Sequence, residues 1–153
     1  MFTRIVCATD FSDTAEAAWD LAIELARTHQ AALVLVHVFS EMPVYPEVAV
    51  ASIQSVWQEQ RQWAEEQLAG RVEAAAARGL PARYLLRAGS APEEIVQAAG
   101  DESADLVVVG THGRTGINRL VIGSVAERVV RVAPCPVLTV KPRPAPQSAR
   151  AAA

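Results

Sequence analysis

The residues from Gly110 to Val125, GTHGRTGINRLVIGSV, hold four glycines, and Ser124 with Glu127 marks the start of a helix. That combination suits an anion. Glycines let the backbone approach a ligand closely, their amides can turn inward, and a helix N-terminus adds unpaired N–H groups with a partial positive charge. A triphosphate fits this chemistry. The spacing is neither GxxxxGK[ST] nor GxGxxG, so neither a P-loop nor a conventional dinucleotide fold is indicated. Asp10 directly follows an apolar run, where an aspartate can start a turn as an Asx cap. Ser124 and Glu127 can form a capping box, which would use the serine hydroxyl for the helix rather than for a phosphate. His37 reads as a satisfied strand-end residue and His112 as a loop residue. His29 is placed to meet the negative end of a helix dipole. No residue is assigned to catalysis, and no cluster has metal-ligand spacing.

These residues need a frame. Residues 4–9, 32–38, 82–87, 105–110 and 137–141 are short, β-branched-rich runs that predict five strands. LVLVHV and LVVV are apolar at consecutive positions, as a strand covered on both faces requires, and so should be central. The intervening segments have helical spacing, as in Ala15, Trp19, Ala22, Ile23 and Ala26, or Ile53, Val56, Trp57, Ala64, Leu68 and Val72. Trp19, Trp57 and Trp63 read as packing residues. Alternating strands and helices predict a single doubly wound α/β domain, a parallel sheet with right-handed crossovers and helices on both faces. Asp13 with Glu16, Ser90 with Glu93, and Ser124 with Glu127 predict three helix starts, with Pro92 in a first turn. Ligands in such sheets bind beyond the carboxyl ends of the strands, at Asp10, Val38, Gly89 and Gly110 here. Residues 40–50, with Pro43 and Pro46, read as a loop beside that edge.

The chain has 153 residues and a formal charge of -3, with no basic stripe to neutralise a nucleic-acid backbone. No apolar run approaches the roughly 20 residues of a membrane span, and the N-terminus lacks a signal-peptide pattern, so a cytoplasmic protein is expected. Cys7 and Cys135 lie in apolar contexts and read as buried thiols. Residues 1–142 are expected to form the domain. Residues 143–153, rich in Pro and Ala without apolar periodicity, are expected to be a disordered tail.

Gly110-x2-Gly113-x9-Gly123-Ser124 resembles the G-x2-G-x9-G-[ST] signature of the ATP-binding branch of the universal stress proteins. The resemblance runs from ATDFSDTAE through LVHV to GTHGRTG, GSVAERVV and APCPVLTV. It implies a five-stranded parallel sheet of order 3-2-1-4-5, with nucleotide between the first and fourth strands. It also implies that Asp10 accepts from ribose hydroxyls and that the backbone near Ala8, Thr9 and Val38 meets adenine. Gly110 would lie against the ribose. Gly113, Gly123, Ser124 and Val125 would hold the phosphates, and Arg114 would help to neutralise them. The function implied is regulatory binding of ATP, with or without Mg²⁺, by a homodimer paired through Val137 to Lys141.

Two other readings stand beside this one. A slow ATPase or phosphotransferase would need a metal and a water-positioning group, for which Asp10 or Asp13 and Arg114 or Arg119 are the nearest resources. A nucleotide-independent dimeric stress protein would need neither.

Overall fold

The computed structural model describes residues 1–39, 50–111 and 123–141, without the side chains of 50–54. Residues 40–49 of the proline-containing loop, His112, Gly113, Arg114, Arg119 and the tail therefore lie outside the described residues.

Five strands, β1 (Arg4–Ala8), β2 (Ala32–Phe39), β3 (Ala82–Ala88), β4 (Leu106–Gly110) and β5 (Val137–Val140), alternate with four helices. These are α1 (Asp13–His29), α2 (Val50–Ala76), α3 (Ala91–Asp101) and α4 (Ser124–Val132). All pairings are parallel and the order is 3-2-1-4-5, as expected. Strand periodicity then divides the core. Ile5, Cys7, Leu33, Leu35, Leu106 and Val108 pack towards α1 and α2, with Trp19, Ala22, Ala26 and Leu68. Val6, Ala8, Val34, Val36, Val107 and Val109 point the other way, towards Ile95 and Ala98 of α3 and Val129 of α4. The consecutive apolar runs thus feed two cores at once, and each fully buried Leu, Ile or Val contributes roughly 1.5–3 kcal/mol.

The helix starts differ from expectation at two places. The N-cap of α1 is Ser12, not Asp13: the Ser12 Oγ accepts from the Ala15 amide at 3.3 Å. Asp10 accepts from the Ser12 amide and so turns Ser12 into the cap position. The N-cap of α4 is Gly123, and Ser124 is the first helical residue, so the expected capping box does not form. Ser90 is the N-cap of α3 as expected, yet its side chain makes no capping bond.

Other expectations shift slightly. Val50 is already helical. Cys7 is buried, but Cys135, in the turn before β5, is only partly so. Trp19 is core, whereas Trp63 is 44% exposed and packs edge-on against Phe11 at 5.0 Å. Trp57 sits edge-on to Phe39 at 5.8 Å. His29, in the last turn of α1, also takes the Phe2 amide on Nδ1 at 3.4 Å.

Candidate functional site

At the carboxyl end of the sheet, where β1 and β4 diverge to opposite crossovers, a cleft opens on the α3 and α4 side. It encloses about 740 Å³, solvent at its mouth included. Such a switch point is where doubly wound sheets place ligands. Of the residues expected to bind, Ala8, Thr9, Asp10, Val38, Gly110, Gly123, Ser124 and Val125 all line it. Gly113 and Arg114 are outside the described residues.

The wall from β1 is a tight turn. Asp10 Oδ1 accepts from the Ser12 amide at 3.1 Å and from its hydroxyl at 2.6 Å, so the Asx-turn reading is correct as far as that oxygen is concerned. Thr9 Oγ1 accepts from the Phe11 amide at 3.0 Å. His37 Nδ1 lies 2.8 Å from the Thr9 carbonyl, and because a carbonyl can only accept, this nitrogen carries the proton. His37 is the satisfied strand-end residue expected.

The opposite wall is built around Thr111 and Gly123. Thr111 is buried; its amide donates to the Val140 carbonyl at 2.8 Å, and its own carbonyl accepts from the Gly123 amide at 2.7 Å. The chain leaving at Thr111 therefore re-enters at a bonded neighbour, directly ahead of α4. Helix bonding there begins with Glu127 N–H on the Gly123 carbonyl, at 3.0 Å. The amides of Ser124, Val125 and Ala126 precede it and have no partner within the helix. All three residues line the cleft. Gly123, with φ -61° and ψ 150°, supplies no capping side chain.

Gly110 has a different reason to be glycine. A Cβ there would lie 2.9 Å from Thr14 Cγ2 and 3.2 and 3.3 Å from the Thr14 carbonyl carbon and oxygen, so the strand end fits tightly under the first turn of α1. Val36, Ala91, Ile95 and Thr111 also line the cleft and were not expected to. The first three are apolar residues indistinguishable in sequence from core. Thr111 could have been suspected from its place beside Gly110.

The cleft is thus apolar at its base and, among the described residues, carries one carboxylate at its β1 wall and presents at the start of α4 amides that no side chain caps. A flat apolar group at the base, hydroxyls near Asp10 and an anion at α4 would each meet complementary chemistry. Among the described residues, no group of three or more His, Cys, Asp or Glu side chains could hold a metal ion, and no helix is long and apolar enough to cross a membrane.

The profile of the Universal stress protein family matches residues 1–141. A Thermus aquaticus relative, described as "Universal stress protein in QAH/OAS sulfhydrylase 3'region", is 38% identical over 142 residues, covering 92% of this chain and all of that protein. The solved structure of universal stress protein UspA from Lactobacillus plantarum superposes with a TM-score of 0.82 at 26% identity, over 90% of this chain and 97% of the other. A universal stress protein solved in complex with cAMP gives 0.68 at 25% identity, over 93% and 99% of the two chains. The Archaeoglobus fulgidus protein in complex with dAMP gives 0.62 at 26%, over 92% and 98%.

Proposed function

Because this chain belongs to the universal stress protein family, we propose that it binds an adenine nucleotide, ATP, in the cleft between β1 and β4, as a regulatory module rather than for turnover. The observation that carries this reading is the start of α4. A glycine stands where Ser, Thr, Asp or Asn would ordinarily cap the helix, and the amides of Ser124, Val125 and Ala126 line the same cleft as Asp10. A helix N-terminus that no side chain among the described residues caps, in the same cleft as a carboxylate, suits a ligand with an anion at one end and hydroxyls at the other. The cAMP and dAMP complexes of the relatives support adenine nucleotides as the class.

In this reading adenine lies over Ala8, Thr9 and Val38, and Asp10 takes the ribose hydroxyls. Gly113, Gly123, Ser124 and Val125 hold the phosphates, helped by Arg114. Gly110 serves chiefly to keep α1 close, and so shapes the site beside the ribose. Mg²⁺, if it accompanies ATP, would be held largely by phosphate oxygens and water, with Asp10 the nearest carboxylate among the described residues lining the cleft.

The test is titration of nucleotide-stripped protein with ATP and with tripolyphosphate, on the wild type and on Asp10→Asn, which keeps an acceptor for Ser12. A hydrogen bond to a charged group is worth about 1.5–3 kcal/mol, so ATP should weaken at least about tenfold. Tripolyphosphate should be unaffected, and an equal loss for both ligands would refute the ribose role. Sustained multiple turnover of ATP would refute the regulatory reading.

The same proposal extends to assembly and organisation. Residues 1–142 form the unit, and the protein is a cytoplasmic homodimer joined through Val137 to Lys141. β5 supports this as an edge strand with only half-buried side chains, and Val130 and Val132 are exposed near the end of α4. Sedimentation should give twice the mass of one chain.

A further inference from the structure

Phe11 has a φ of 63°, in the left-handed region that a bulky side chain rarely enters. Glycine would adopt that angle without strain, so a phenylalanine there implies that its ring is needed. Among the described residues the ring meets three partners. His37 of β2 lies 4.5 Å away between centroids, Trp63 of α2 meets it edge-on at 5.0 Å, and the Arg71 guanidinium carbon sits 5.1 Å above it.

Those partners are themselves held. His37 is bonded to the Thr9 carbonyl at 2.8 Å. Arg71 reaches Glu16 of α1 at 2.5 and 2.9 Å and the Gln67 carbonyl at 2.8 Å. The ring is therefore clamped between β2 and α2, and Arg71 ties that clamp to α1 through Glu16. On either side of it in sequence stand Asp10, which lines the cleft, and Ser12, whose amide and hydroxyl fix the Asp10 carboxylate.

We propose that Phe11 is a positioning residue: its clamped ring holds residues 9–12 in the one turn that presents Asp10 to the ribose hydroxyls. This rests on the nucleotide reading above and extends it to a residue that does not line the cleft. It also makes the exposed Trp63 face of α2 mechanically continuous with the ligand-binding turn.

Phe11→Gly separates the two roles, since it relieves the backbone angle and deletes the ring. The full-length chain, stripped of nucleotide, is titrated with ATP and with dideoxy-ATP, which lacks both ribose hydroxyls, alongside Phe11→Tyr as the conservative variant. The wild type should prefer ATP at least tenfold. Phe11→Gly should lose most of that preference with dideoxy-ATP affinity changed less than threefold, and Phe11→Tyr should retain it. Hydrogen exchange of the Ser12 amide in the absence of ligand should accelerate at least tenfold in Phe11→Gly and stay near wild type in Phe11→Tyr. Full ATP preference or unchanged Ser12 exchange in Phe11→Gly would overturn the proposal. A wild type that binds neither nucleotide would overturn the nucleotide reading and Asp10's ribose role with it. Ser12 exchange would still decide whether Phe11 holds the turn.

Discussion

Replacing Gly110 with alanine adds a single methyl group, and the structure says where it goes. It would lie 2.9 Å from Thr14 Cγ2 and 3.2 and 3.3 Å from the Thr14 carbonyl carbon and oxygen. Thr14 is buried in the first turn of α1, so its methyl has little room, and a backbone carbonyl in a helix moves only if the helix moves. Overpacking of this kind costs about 1–3 kcal/mol. At about 2–4 °C per kcal/mol for a chain of this size, a cost of about 2 kcal/mol lowers Tm by about 4–8 °C. Thermal unfolding followed by circular dichroism, without nucleotide, measures it. Adding Thr14→Ser removes the closest contact and leaves the two backbone contacts, so the double variant should recover only part of the loss, with a coupling of about 1 kcal/mol. If Gly110→Ala unfolds at the wild-type temperature, the close approach of α1 is not what requires glycine, and contact with the ribose would become the better reason.

Ser12→Ala removes the bond to the Ala15 amide and the donor to Asp10 Oδ1, and should cost about 1 kcal/mol in denaturant unfolding while weakening ATP. Burial raises the Asp105 carboxyl, but the Thr3 amide and hydroxyl and the Arg4 amide outweigh it and hold the group below its ordinary 3.8. A depressed folded value stabilises above the unfolded one, so this contribution should be whole at neutral pH and fade as pH falls from 3.8 through the lower folded value. Asp105→Asn should therefore lower Tm at pH 7 and converge on the wild type in strong acid; a constant difference across pH would refute the assignment. Burial, then the Glu16 charge, pushes the Cys7 thiol far up, while Cys135 is raised by burial and by Asp105 but remains partly accessible. A thiol reagent should label Cys135 slowly in the native protein and Cys7 only on unfolding. Simultaneous labelling in the native state would contradict the burial of Cys7.

Much of this architecture is legible in sequence because the central strands must be apolar at consecutive positions. LVLV in β2 and LVVV in β4 announce a sheet with two buried faces, and the alternation with helices then leaves few topologies. Helix caps were less legible. Ser12 and Asp13 are both good caps, and the choice falls to Ser12 because Asp10 takes its amide. Local preference favours Ser124 over Gly123, yet the bond from the Gly123 amide to Thr111 places the glycine outside the helix. The cleft residues at the carboxyl ends of strands, such as Asp10 and Gly110, were legible from the switch-point rule. Val36 and Ile95 were not, since an apolar side chain at the base of a cleft has the same local pattern as one in the core. Nor could the reason for Gly110 be read, because Thr14 meets it only through the fold.

The most direct test of nucleotide binding is calorimetric titration of the stripped protein with ATP, with and without Mg²⁺, using Gly123→Val as the comparison. Gly123 has φ -61° and ψ 150°, which valine can adopt, so the fold should survive while the added side chain fills the start of α4. Saturable micromolar binding by the wild type, lost in a variant that still unfolds cooperatively, is the predicted result. No binding by the wild type, or equal binding by the variant, would contradict it.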